Sequence, residues 1–192
     1  MPETAYSYIV IPMTEQTGNE WQSGNIAAFG ALFRQYERLV FKNAYLITGD
    51  REEAEDVLQE VFVSVWKSRH TFNPNRGKLT TWLHRITVNK CLERNRRRKL
   101  DTLPLEGLDL PATQLTDNVL VTRQEYDKLI EAMNSLDAKH RAVLILRYFN
   151  DLSYEEIAKA VGIPLGTVKS RINSGLKLLR VQFETQQGGV PE

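Results

Sequence analysis

The chain is poor in the residues that build most catalytic, metal and redox sites. Its 192 residues contain one cysteine, Cys91, which excludes an internal disulfide, and three histidines, His70, His84 and His140, in three separate segments. Cys and His this few and this scattered exclude a zinc site, and no metal or other cofactor is expected. There is no glycine-rich phosphate loop, no HExxH, no CxxC and no convergent Ser, His and Asp set, so no enzymatic activity is expected. No apolar run approaches the roughly 18 residues of a membrane span, and the opening MPETAYSYIVIPM lacks the basic stretch of a secretory signal. A cytoplasmic protein without membrane insertion is expected. Strand-like alternation and internal repeats are missing too. Net charge is also slight, since 25 Lys and Arg against 24 Asp and Glu leave +1.

That small sum hides a segregation. Asp50 to Glu60 is acidic, and Arg85 to Lys99 is strongly basic. The most informative stretch is Leu152 to Arg180, LSYEEIAKAVGIPLGTVKSRINSGLKLLR, where two helical patterns meet at Gly162-Ile163-Pro164. Ser153 with Glu156 forms a capping box, and Ile157, Ala158 and Val161 give the first helix a buried stripe. The second helix is expected to bury Val168, Ile172, Leu176 and Leu179 and to expose Thr167, Ser170, Asn173, Ser174 and Lys177, with Lys169 and Arg171 on the flanks. An ordinary helical hairpin has the same periodicity. The tight turn and the polar, basic outer face favour a helix-turn-helix whose second helix lies in the major groove.

Elsewhere the pattern predicts an all-α protein of two small helical domains on a flexible linker. Residues 1–25 read as a loose tail with an apolar run at Tyr8–Met13, 26–100 as the first domain, 101–122 as the linker, 123–184 as the second domain, and 185–192 as a terminal tail. Phe29, Leu32, Phe33, Tyr36, Leu39, Val40 and Ala44 mark one long helix ending at Gly49. Asp50, with Glu53 three residues on, opens another that buries Ala54, Val57, Leu58, Val61 and Val65. A turn-rich loop, Phe72 to Gly77, precedes a helix from Leu79 through the Arg96–Lys99 cluster. Pro104, Gly107 and Pro111 break any period in the linker, after which helices are expected at Arg123–Met133 and Asp137–Phe149.

Two further surfaces stand out. Asp56, Gln59, Glu60 and Val63 share the face opposite their helix's buried stripe, which suits either a solvated acidic face or a basic protein partner. Phe72 to Lys99 combines aromatics, a Gly- and Asn-containing loop and a basic helix, as expected where unpaired bases stack while cations track phosphates. Trp82, Ile86, Asn89 and Glu93 share one face of that helix, and Leu83, Thr87 and Cys91 pack inward. Trp82 alone would suit a core. Five cations in the six residues Arg94–Lys99 exceed what a helix end needs, and favour nucleic acid.

AEDVLQEVF, then WLHRITVN leading to basic residues, then LSYEEIAKAVGIPLGTVKSRI, in this order and spacing, resemble the sigma-70 family of bacterial RNA polymerase sigma factors, and within it the extracytoplasmic function (ECF) group. The resemblance covers roughly Ala27–Lys99 and Glu125–Phe183. It implies a dissociable subunit that joins the polymerase core, through its β′ clamp helices and β subunit, and recognises and melts promoter DNA. By position it implies core binding at Asp56, Gln59, Glu60 and Val63. For melting and reading the −10 element it implies Phe72, Asn73, Asn75, Arg76, Lys78, Trp82, Arg85, Asn89, Arg96 and Arg97, with a flipped base held by the loop. For the −35 duplex it implies Thr167, Lys169, Ser170 and Arg171, to which the exposed row of the same helix adds Asn173, Ser174 and Lys177. Ser174-Gly175 replaces the arginine and alanine of many relatives, which removes one contact and weakens the helix locally. The acidic linker, with Asp101, Glu106, Asp109 and Asp117, is a plain tether or, by the resemblance, a mimic of RNA. The ending QQGGVPE leaves no further C-terminal domain expected, so a separate anti-sigma partner is implied. A conventional regulator that binds DNA without polymerase would share the helix-turn-helix, though not a need for the acidic face.

Overall fold

The computed structural model describes residues 20–101 and 123–187, so the apolar run Tyr8–Met13 and the linker from 102 to 122 lie outside the described residues. Every regular element among the described residues is helical. Helix α1, Ile26–Thr48, starts where the Asn25 side chain accepts the amides of Ala27 and Ala28. It stops at Gly49, whose φ of +75° favours glycine and whose N–H donates to the Tyr45 carbonyl. Helix α2, Arg51–Lys67, is capped by Asp50, which accepts the Glu53 amide at 2.9 Å. Glu52 and Glu53 in its first turn and Lys67 in its last complement the helix dipole. Two short 3-10 turns, Arg69–Thr71 and Pro74–Arg76, lead to α3, Leu79–Asp101, which carries the helix through the first residue expected in the linker.

The second group comprises α4 (Arg123–Asn134), α5 (Ala138–Tyr148), α6 (Tyr154–Val161) and α7 (Leu165–Gln187). Asp137 caps α5, and both hydrogen bonds of the expected capping box at Ser153 and Glu156 open α6. Gly162, with φ +71°, closes α6, and its N–H and that of Ile163 both donate to the Ala158 carbonyl. Ile157 and Ala160 are fully buried, while Ala158 and Val161 are only partly so.

One expectation needs correction. The tail does not stay loose up to Asn25: residues 20–22 are helical and Trp21 is fully buried. A tryptophan flanked by polar residues carries no periodic signal, and only the packed loop and helix around it reveal its place. The two helical domains expected on either side of the linker also pack on one another. Helix α5 packs on α1 and α3, and α6 packs on α3, so one continuous core runs through both groups. Cys91 belongs to that core, and burial pushes its thiol up to about 12, leaving it unreactive.

The junction between the groups is threaded by polar side chains. Arg141 is buried and donates to the carbonyls of Ile47, Asn134 and Leu136 and to the Asn134 side chain, at 2.7–3.1 Å. Its guanidinium and Asn134 crowd Gly49, where a Cβ would lie 2.8 Å from Asn134 Oδ1. Asn150 donates to Asn43 Oδ1 at 2.8 Å, and the Asn43 amide meets His84 Nδ1 at 3.0 Å. Nδ1 must then be unprotonated to accept. Burial pushes the His84 imidazole down to about 4, with the Glu156 carboxylate opposing the shift.

Between pH 6.5 and about 4 the unfolded chain takes up a proton that folded His84 refuses. Its share of stability is therefore complete above pH 6.5 and is lost as the pH falls, by up to about 3 kcal/mol. Urea denaturation at stepped pH is expected to show this loss in the native chain, and a flatter profile in His84→Gln.

Candidate nucleic-acid and partner surfaces

Helix α3 carries two sites at different places along its length. Near its N-terminal end, Leu83 and Thr87 point into the core while Trp82 and Arg85 turn toward the preceding loop. Thr71, Phe72, Asn73, Arg76, Gly77, Lys78, Thr81, Trp82 and Arg85 line one cleft of about 420 Å³, and Lys159 of α6 completes it. The Asn73 side chain accepts the Asn75 amide and so shapes the second 3-10 turn. Phe72 and Trp82 are half-buried with ring centroids 5.5 Å apart, and both contact Trp21, at 6.2 and 6.1 Å. Aromatic surface beside Arg76, Lys78 and Arg85 can stack a base while holding the adjacent phosphates.

Of the ten residues expected at the −10 site, the cleft gathers Phe72, Asn73, Arg76, Lys78, Trp82 and Arg85. Asn75 and Asn89 are exposed outside its lining, as is Arg96 farther along α3. Arg97 turns to the other site. There, Asp56, Gln59, Glu60, Val63, Ser64 and Lys67 of α2 face Lys90, Arg94 and Arg97 of α3 across a groove. Arg94 pairs with Asp56, and with Glu60 at 3.0 Å; Lys90 reaches Glu60 at 3.6 Å, Arg98 reaches Glu53 at 3.1 Å, and Arg97 pairs with Glu93 on its own helix.

The basic run is thus spent largely on carboxylates. The acidic face is a mixed-charge groove with Val63 exposed at its edge, at 52%. Partly exposed pairs such as these contribute about 0–1 kcal/mol each and weaken with salt, so they orient the groove without closing it to a charged partner. The spacing of Lys90, Arg94 and Arg97 along one side of α3, with acids spaced likewise on α2, is the signal that would have revealed the pairing. Lys159 gave no comparable signal, because it reaches the cleft only through the packing of α6 on α3.

On α7 the expected outer face is exposed at Lys169, Ser170, Asn173, Ser174 and Lys177, with Thr167 and Arg171 half-buried. The inner stripe differs from expectation. Val168, Ile172 and Leu179 are buried, but Leu176 is 40% exposed and Gly175 takes its place. With Val168 as zero, Gly175 falls at about −20° and Leu176 at about 80°, so the glycine lies mid-stripe and the leucine at its rim. A Cβ at Gly175 would lie 2.9 Å from Leu144 Cδ1 and 3.5 Å from His140 Cβ. At Gly175 α7 lies close against α5, which gives the departure at Ser174-Gly175 a packing cause. Gly175→Leu is expected to lower stability by about 2–3 kcal/mol in denaturant titration.

Residues 32–100 match the family model of Sigma-70 region 2, and residues 126–179 match that of Sigma-70, region 4. The chain is 33% identical over 173 residues to ECF RNA polymerase sigma factor SigW of Bacillus subtilis, covering 84% of this chain and 92% of that one. It is 35% identical over 180 residues to ECF RNA polymerase sigma factor SigE of Mycolicibacterium smegmatis, covering 89% and 69%. In fold it is similar to the sigma factor RpoE from Bartonella quintana, solved in complex with the anti-sigma factor NepR, with a TM-score of 0.66 at 22% identity over 83% of this chain and 98% of that one.

Proposed function

The chain belongs to the ECF group of the sigma-70 family, whose members direct bacterial RNA polymerase to promoters, and from that premise we propose how its surfaces divide the task. The cleft under Phe72 and Trp82 takes a flipped base of the −10 element, with Arg76, Lys78 and Arg85 on the backbone of the separated strand. Unstacking costs a few kcal/mol per step, and aromatic stacking of about 1–3 kcal/mol per base with cation contacts offsets it. The observation that carries this reading is the convergence of two aromatic rings and these three cations on one cleft.

The outer face of α7 docks on the −35 duplex, with Lys169 and Arg171 on phosphates and Ser170, Asn173 and Ser174 toward base edges. The groove between α2 and α3 meets the β′ clamp helices of the core enzyme. Asp56, Gln59 and Glu60 supply the polar contacts there, and Val63 supplies the apolar one. The roles follow the two domains, 26–100 and 123–184, with Trp21 and Gln22 joined to the first. The protein works in the cytoplasm with the polymerase and catalyses nothing itself. Among the described residues no helix is long and apolar enough to cross a membrane.

With Lys159 lining the cleft, the second domain crowds the site that a melted strand would enter. Engaging a promoter therefore requires the domains to part. A separate anti-sigma protein that holds them together would keep the melted strand out of the cleft, and the complex of the similar RpoE with NepR is a precedent for an anti-sigma partner.

Run-off transcription with purified core polymerase tests the reading on a pool of fragments randomised at both promoter elements. Transcripts that depend on this protein and share one pair of elements are expected; their absence from the whole pool counts against it. Val63→Glu leaves every ion pair of the groove in place and is expected to weaken core binding at least tenfold. Unchanged affinity would remove the groove from the polymerase interface.

A further inference from the structure

Ahead of α1, a short helical segment holds the cleft from below. Trp21 is fully buried, and its indole packs against both aromatic rings that line the cleft, Phe72 and Trp82. The neighbouring Gln22 side chain donates from Nε2 to the Arg69 carbonyl at 3.1 Å and to the Phe72 carbonyl at 2.7 Å. These two carbonyls bracket the first 3-10 turn, Arg69–Thr71, so one amide holds both ends of the turn from which the loop departs.

The same segment turns back over Arg69. Gly24, with φ +96°, lies where a Cβ would sit 3.7 Å from Arg69 Nη2. The Arg69 guanidinium rests 4.6 Å from the centre of the Trp66 ring and donates to the Trp66 carbonyl at 2.8 Å. Neither Trp21 nor Gln22 lines the cleft itself. Both act on the residues that do.

We propose that Trp21 and Gln22 are positioning residues for −10 recognition: the indole sets the tilt of Phe72 and Trp82, and the Gln22 amide fixes the backbone from which Asn73 to Lys78 project. The inference rests on the cleft being the −10 site. A base that must leave the duplex is discriminated only if the loop awaiting it is already ordered, because ordering it on binding would consume the same stacking energy. Among the described residues no sequence-local donor meets the Phe72 carbonyl, and the side-chain bond from fifty residues upstream supplies that restraint.

The test uses the full chain with core polymerase on the randomised promoter pool and compares Gln22→Ala, the near-isosteric Gln22→Glu, which lacks the donor, and Trp21→Phe. Both Gln22 variants are expected to flatten the −10 preference about five- to tenfold while leaving the −35 preference and core affinity unchanged. Trp21→Phe, which keeps an aromatic ring, is expected to flatten it less. A merely structural role would lower the active fraction without changing the ratio between −10 sequences.

An unchanged −10 profile in both Gln22 variants overturns the proposal, and so does a parallel loss of −10 and −35 preference. Trp82→Ala and Lys78→Ala are run beside them. If these flatten the −10 profile and the Gln22 variants do not, the cleft assignment stands and the positioning role falls. If neither set changes it, the cleft is not the −10 site and the proposal falls with it.

Discussion

The burial of helix α3 is the constraint on which the rest of the structure depends. Leu83, Thr87, Val88 and Cys91 sink into the core, and once they are placed the remaining sides of the helix have no freedom of direction. Trp82 and Arg85 must face the loop after α2, and Lys90, Arg94 and Arg97 must face the carboxylates of α2. One helix therefore ties the cleft and the groove to a common frame, and a shift of α3 along its axis would disturb both. On the proposed reading, a base engaged at one end and the polymerase held at the other would be coupled through a rigid element of 23 residues, with no linker between them.

The junction of the two domains has a different character. Its buried apolar contacts are joined by a set of polar groups, Asn43, His84, Asn150 and Arg141, each with partners across or along the boundary. Left dry and unpaired, such groups would cost several kcal/mol, so the junction holds only while the hydrogen bonds register. A separation of the domains would give these groups water instead, which lowers the cost of opening relative to a wholly apolar seam. On the proposed reading, in which the domains part to engage a promoter, a boundary of this kind serves the opening.

Much of the architecture was legible in local sequence because caps and turns act within a few residues. Ser153 with Glu156, Asp50 with the Glu53 amide, and glycines at 49 and 162 all stand where their chemistry predicts. The helix-turn-helix and the exposed row on α7 follow from the same short-range rules. The cleft was partly legible: of the residues expected at a −10 site, Phe72, Trp82 and the nearby cations converge, whereas Arg97 is drawn to the acidic groove. Charge density indicated that the basic run has a partner. It did not say whether that partner lies inside or outside the molecule.

By itself the sequence determined the helices, their ends and the chemistry each face offers, since these depend on backbone bonds and side-chain periods within one segment. Only tertiary structure decided which faces meet. It buried Trp21 beneath the cleft, put Gly175 in place of Leu176 against Leu144, brought Lys159 to a loop some eighty residues away in the chain, and paired Asp56 and Glu60 with Arg94. Each of these depends on the relative placement of segments far apart in sequence, which packing of the shared core sets and no local period encodes.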